Sequence, residues 1–135
     1  MIKRIHHVGI VVRDMQQAMS FYCDKLGLRP HRMETMQEQG VKAVLLALGE
    51  SEIELLEPIV PDNGVARYLE RRGEGLHHVC FEVDDVDREL ASLKARNVEL
   101  IDQAPRDGLA GRICFLHPSA LDGTLVELCE VVATR

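Results

Sequence analysis

The sequence predicts an α+β fold of two tandem βαβββ modules, and three observations carry that reading. The first is an internal repeat. Ile5-His6-His7-Val8-Gly9-Ile10-Val11-Val12-Arg13-Asp14 is answered by Leu76-His77-His78-Val79-Cys80-Phe81-Glu82-Val83-Asp84-Asp85, and both His7/His78 and Asp14/Asp85 stand 71 residues apart. The second is periodicity. Each histidine doublet opens a stretch that alternates with period two, as a strand does, and each stretch ends in an Asp followed by an apolar stripe of helical period. The third is that each copy closes on a strand carrying a glutamate, Glu54 or Glu127, which follow the histidines by 47 and 49 residues.

In the first module residues 4–12 read as a strand, with Val8, Ile10 and Val12 on one face and His7, Gly9 and Val11 on the other. Asp14 is positioned to cap a helix whose stripe is Met15, Ala18, Met19, Tyr22 and Leu26, and Gly27 can end it in a left-handed conformation. Arg29–Met36, Val41–Leu48 and Glu52–Glu57 read as strands, with turns at Gln37–Gly40 and Gly49-Glu50. Pro58 to Gly64 breaks the pattern, and Val65–Arg71 reads as a short linking helix.

The second module repeats the plan with shorter strands. Leu76–Val83 is the first, and Asp85 caps a helix with the stripe Val86, Leu90 and Leu93 that ends near Asn97. Val98–Ile101, Gly111–His117 and Thr124–Val131 read as the remaining strands, with a glycine-containing loop at Arg106–Gly111. Residues 1–135 are therefore expected to form one domain, with module one at about 4–58, a linker at about 59–74 and module two at about 75–131. Neither half holds enough core to stand alone, so the two sheets are expected to pack together.

Composition narrows the partners. A net charge of −6 with no basic stripe excludes nucleic acid as a partner, while a few local Arg or Lys residues suffice for an anionic small molecule. No apolar run reaches membrane-spanning length, and Met1-Ile2-Lys3-Arg4 leads straight into the first strand, so no membrane partner, no signal peptide and a cytoplasmic location are expected. Cys23, Cys80, Cys114 and Cys129 contain no CxxC pair and read as reduced, mostly buried thiols.

Alternation assigns the chemistry. Glu52, Glu54 and Leu56 share one face of the last strand of module one, and Leu125, Glu127 and Cys129 share one face of the last strand of module two. With the apolar faces turned to the helices, His7, Glu54, His78 and Glu127 remain, and a pseudo-two-fold arrangement would gather them in one metal-binding cup. Two imidazoles and two carboxylates suit a divalent Co, Mn, Ni or Zn ion, whereas calcium prefers an all-oxygen shell. A lone histidine doublet on a strand is more often packing than metal binding, and a lone strand glutamate usually faces solvent. Two such pairs matched across a repeat are harder to reconcile with chance. His6 and His77 point the other way by alternation and are expected to be structural.

The repeated unit with His, Glu, His and Glu in order resembles the vicinal oxygen chelate superfamily of glyoxalases, extradiol dioxygenases, bleomycin-resistance proteins and methylmalonyl-CoA epimerases. Ile53-Glu54-Leu55-Leu56-Glu57-Pro58, Gly73-Glu74-Gly75-Leu76-His77-His78, Phe115-Leu116-His117-Pro118 and Gly123-Thr124-Leu125-Val126-Glu127-Leu128 favour the epimerases, and the resemblance runs from Ile5 to about Glu130. It implies a glyoxalase-like fold, a homodimer, an acyl-CoA substrate, and His7, His78 and Glu127 as metal ligands. Glu54 falls where the epimerases have Gln or Glu. The chain departs from the family twice: Ala43 stands where some epimerases place a proposed catalytic base, and Ser119 follows His117-Pro118 where Lys is frequent.

Epimerisation at carbon 2 of methylmalonyl-CoA needs a proton acceptor on each face of the carbon and stabilisation of the enolate. Glu127 is the first candidate base and Glu54, its counterpart in the repeat, the second. Glu52 and Glu82 share the cup-facing parity and stand in reserve, and Glu38 is a surface turn residue. Two competing readings are a lactoylglutathione lyase of the glyoxalase I type, which could use the same shell, and a non-catalytic binding protein of the bleomycin-resistance kind, which needs no metal.

Overall fold

The computed structural model describes residues 1–120 and 123–131; positions 121–122 and 132–135 of the expected domain lie outside the described residues. The chain divides into two compact units, His7–His77 on the one hand and Met1–His6 with His78–Arg135 on the other.

In the first unit, β1 (Ile2–Val11, from His7 onward) pairs in parallel with β4 (Ser51–Pro58). The strands β2 (Arg29–Met36) and β3 (Val41–Leu48) complete the order β2-β3-β4-β1 through antiparallel pairings. In the second unit β5 (Gly75–Val83) pairs in parallel with β8 (Val126–Glu130), and β7 (Gly111–Leu116) and β6 (Arg106–Gly108) extend the order to β5-β8-β7-β6. Each copy is thus strand, helix and three strands, with its first and last strands parallel. Parallel neighbours need a long connection, and the intervening helix and hairpin supply it.

The helices cover the apolar faces that alternation identifies. Asp14 caps α1 (Met15–Met19) by accepting from the Gln17 N–H at 3.1 Å, and Asp85 caps α3 (Val86–Ala95) by accepting from the Arg88 N–H at 3.1 Å. Val12, Met15, Val44, Leu46 and Leu55 form the core of the first unit, with Ile10, Ala18, Met19 and Tyr22 packed against it. Val83, Val86, Leu90, Cys114, Leu116, Val126 and Leu128 form that of the second, with Val79, Phe81 and Leu93 at its edge. Val8, expected in the core, is only half-buried. α2 (Gly64–Arg72), capped by Asn63, is the expected linking helix.

Two local expectations are corrected. Leu26 does not join the apolar stripe: α1 passes at Ser20 into a π-helical turn over Ser20–Lys25, and Leu26 is exposed. A π turn holds more residues than an α turn, so a stripe counted at 3.6 residues per turn drifts off the core face, and Cys23 and Leu28 pack there instead. Gly27 follows at φ +80°, left-handed as expected.

Val98–Ile101 is not a strand. It touches the sheet only through a bridge between Leu100 and Leu116, because the chain crosses β7 there: Ile101 and Asp102 both donate their N–H to the Phe115 carbonyl, and the Asp102 carboxylate accepts the Phe115 N–H at 2.7 Å. The first of the three strands after the helix is instead β6, within the stretch expected to be a loop. Gly108 pairs with Gly111 across Leu109-Ala110, a two-residue hairpin whose polar strand lacks apolar alternation. Gly111 has φ +135°, and a Cβ there would lie 2.4 Å from the Glu130 carbonyl oxygen, so β7 and β8 approach as closely as glycine permits.

Candidate metal centre

Each unit builds one histidine–glutamate pair. In the first, the β1–β4 register sets Gly9 beside Glu54 and His7 beside Glu52, so His7 and Glu54 are diagonal neighbours on one face. His7 Nε2 lies 3.4 Å from Glu54 Oε1, and both residues are buried. In the second, the β5–β8 register sets Cys80 beside Glu127, which leaves His78 one alternate position away, and His78 Nε2 lies 3.1 Å from Glu127 Oε1. This pair is buried too.

The pair distances fit a transition metal. Donors about 2.1 Å from one ion stand about 3.0–3.4 Å apart in octahedral or tetrahedral geometry. Imidazole nitrogen beside carboxylate oxygen, at that separation and shielded from water, is the borderline donor set that Co, Mn, Ni and Zn accept.

The surroundings hold the pairs in place. Phe115 is the sheet neighbour of Glu127 and meets the His78 ring edge-on at 5.6 Å, while the Arg106 guanidinium lies 5.5 Å from the centre of the same phenyl ring. Around Glu54 the wall is apolar. Leu45 is its partner across β3–β4, Ala43 is paired with Leu56, and all three are buried. Ala43 therefore puts a methyl group, with no acid or base function, on the face that carries Glu54.

The reserve acids are already engaged. Glu52 Oε2 lies 2.7 Å from His31 Nδ1. Glu82 accepts from Arg4 Nε at 2.8 Å and has Lys3 Nζ at 3.6 Å. Glu38 is exposed in its turn. In the first unit, Glu54 is the buried carboxylate among the described residues. The His77 ring meets Tyr68 edge-on at 4.8 Å. Ser119, at the His117-Pro118 loop, hydrogen bonds through Oγ to Glu99 at 2.5 Å.

Sequence reasoning passed over two features. One is a second pair of glutamates, Glu57 and Glu130, which accept the first helical N–H of α1 (Met15, 2.8 Å) and of α3 (Val86, 2.9 Å). Each sits three positions after Glu54 or Glu127, and that spacing was the available signal. The other is the burial of His6, which lies with Cys80 and Cys129 inside the second unit.

The likenesses to known proteins agree with this geometry. The family described as the Glyoxalase/Bleomycin resistance protein/Dioxygenase superfamily matches residues 6–115. The mitochondrial methylmalonyl-CoA epimerase of Mus musculus is 35% identical over 93% of this chain and 71% of its own. The ethylmalonyl-CoA/methylmalonyl-CoA epimerase of Cereibacter sphaeroides is 34% identical over 97% of this chain and 100% of its own. Among solved structures, a variant of the Streptomyces coelicolor methylmalonyl-CoA epimerase in complex with 2-nitronate-propionyl-CoA superposes with a TM-score of 0.94 at 36% identity, covering 98% of this chain and 97% of its own. A duplicated βαβββ unit, a buried His–Glu pair in each copy and likeness along nearly the whole sequence all lead to one family: the chain belongs to the glyoxalase/bleomycin resistance protein/dioxygenase superfamily and has its vicinal oxygen chelate fold.

Proposed function

We infer that this chain interconverts the two epimers of methylmalonyl-CoA by removing the proton at carbon 2 and returning it on the opposite face. One observation carries the inference: the last strand of each unit holds a buried glutamate against a buried histidine, in a chain like named epimerases from end to end. Both pairs are taken to serve one divalent ion, with His7, Glu54, His78 and Glu127 as its four ligands. Their equivalence in the repeat and the pair distances support this. When bound, the ion supplies positive charge for the electron density that gathers on the thioester oxygen, an effect worth several kcal/mol.

The residues of the chain do the rest. Glu127 is the base on one face of carbon 2 and Glu54 the base on the other, each contributing about 10²–10⁴-fold through proton transfer. A carboxylate that also held a metal would be a weakened base, so Glu127 and Glu54 would each need an oxygen free of the ion to take the proton. Ala43 gives Glu54 its role, because the methyl group cannot take a proton and Glu52 is held by His31. The apolar wall of Leu45, Leu56 and Ala43 keeps water from the carboxylate and strengthens its interaction with the developing charge. Phe115 fixes the His78 ring and so the ligand atom it presents. The same reading carries a homodimer, a cytoplasmic location and Co, Mn, Ni or Zn as the ion; light scattering and elemental analysis address the first and the last.

The decisive assay follows carbon 2 in deuterated water. Metal-loaded protein should incorporate deuterium into methylmalonyl-CoA and equilibrate its epimers. Glu127→Gln should lower turnover more than metal content. Glu54→Gln should let deuterium enter one epimer without completing inversion; full inversion by that variant would move the second base elsewhere, with Glu52 and Glu82 next. Absence of exchange by the loaded wild type, together with turnover of a glutathione hemithioacetal, would overturn the epimerase reading in favour of a lyase.

A further inference from the structure

The second unit holds another cluster of ligating side chains that epimerisation leaves unused. His6, Cys80 and Cys129 each present one ligand atom, all within 4.8 Å of one another, and all three residues are buried. The strands produce this placement. In the β5–β8 register Cys80 lies beside Glu127 and Glu82 beside Cys129, so the cysteines are diagonal neighbours on one face. His6 comes from the first half of β1, which is fastened to the same unit by Arg4 on Glu82 and by Lys3 on Glu82 and Asp84. Ile113, the β7 partner of Cys129, packs with both cysteines, and Ala110 and Phe115 lie against this cluster.

We propose that His6, Cys80 and Cys129 form a second metal site, distinct in donor chemistry from the His–Glu pairs, that takes a thiophilic cation of the Zn²⁺, Cd²⁺ or Cu⁺ class. Three arguments support it. Around a tetrahedral ion with bonds of about 2.3 Å to sulfur and about 2.0–2.1 Å to nitrogen, the donors stand about 3.4–3.8 Å apart, inside the span this cluster occupies. Two sulfurs and an imidazole are a soft donor set, which selects against the harder ions that carboxylates favour. Two thiolates also cancel the charge of a divalent ion, which a buried site requires. The balance is simple: as each sulfur–metal bond forms, its thiol proton passes to solvent, so a divalent ion enters with release of two protons. Cys23 and Cys114 lie outside the cluster.

Cadmium titration of the whole protein tests the site, read by elemental analysis and by thiolate-to-cadmium charge-transfer absorption in the ultraviolet. The wild type should saturate at two ions per chain, one of them accompanied by the thiolate band. Cys80→Ser and Cys129→Ser should each lose the band and one ion, and Cys114→Ser should keep both. His6→Asn, which retains both sulfurs, should shift the band to higher cadmium concentration. His7→Ala with His78→Ala should lose one ion yet keep the band, so failure of the His–Glu reading and failure of this one give different results. Saturation of the wild type without a thiolate band would overturn the proposal even if no variant folds. So would a band that survives in the Cys80→Ser/Cys129→Ser double variant.

Discussion

Neighbouring histidines in this chain do different work. His78 lies 3.1 Å from a glutamate and under a phenylalanine edge, while His77 rests on Tyr68. On the proposed ligand set, His78→Ala and His7→Ala should each strip most of the Co, Mn or Ni from protein loaded with that ion, or one of two zinc equivalents, and His77→Ala should leave that content unchanged, as elemental analysis would report. Equal behaviour of His77 and His78 would defeat the assignment. A second expectation concerns Cys114, whose thiol is pushed up to about 12 by burial, with the Asp102 and Glu127 carboxylates adding to the shift. The unfolded thiol loses its proton near 9.0 while the folded one keeps it. Its stabilising contribution is therefore whole below about pH 9 and is lost as pH rises towards 12. Urea midpoints should fall between pH 8 and 10.5, and Cys114→Ala should make that fall shallower; an equal slope in the variant would assign the loss to other groups.

The residues most easily read from sequence were those the repeat states twice. His7 and His78, and Glu54 and Glu127, reinforce each other, and alternation then fixes their face. Cys80 and Cys129 receive no such support, since Gly9 and Leu56 occupy the corresponding places in the first copy. Parity set His6 on the opposite face from His7 and marked it structural, but its place beside Cys80 and Cys129 was not legible, because those cysteines come from strands of the other copy.

At the scale of elements, each closing strand works on both of its faces. Glu54 and Glu57, like Glu127 and Glu130, stand three positions apart, an odd step, and so project to opposite sides. The first of each pair meets a histidine and the second receives a helix N–H. A carboxylate there satisfies an orphan donor and complements the positive end of the helix. Glu57→Ala and Glu130→Ala should each cost about 0.5–2 kcal/mol. Because they share no partner, the double variant should lose about the sum, measurable by urea denaturation. A loss well below that sum would show that the helix ends are satisfied in another way. Element boundaries were legible where a cap or a left-handed glycine marks them, as at Asp14, Asp85 and Gly27. They were illegible at the π turn, where local winding changes with no breaker in the sequence, and at β6, where partners on β7 make a strand of Arg106-Asp107-Gly108.

For the molecule as a whole, the proposed shell takes one histidine and one glutamate from each unit, so metal binding and folding should be coupled. An ion that binds only the folded chain stabilises it by about 2.7 kcal/mol at a hundredfold excess over its dissociation constant. Chelation of protein loaded with Mn alone, an ion the thiolate site disfavours, should lower the Tm of the wild type, and the His7→Ala/His78→Ala double variant treated in the same way should melt at one temperature with or without chelator. A wild-type Tm indifferent to chelation would rule out the coupling.

β1 is divided between the units, and this sets an order of events during synthesis. Arg4 finds Glu82 across 78 positions and the Met1 amine finds Glu89 across 88. At about 5–20 residues per second, residues 2–6 leave the ribosome roughly 4–16 s before those partners exist. His7–His77 is itself complete only five residues before Glu82, so for most of that interval the leading segment, with Ile2 and Ile5 among its side chains, waits while the rest of the chain is made. Residues 2–6 are thus made well before they can be placed, and they pass their waiting time as an unclaimed strand carrying two isoleucines among basic side chains, open to any chaperone or neighbouring nascent chain that reaches them before Glu82 and Glu89 do.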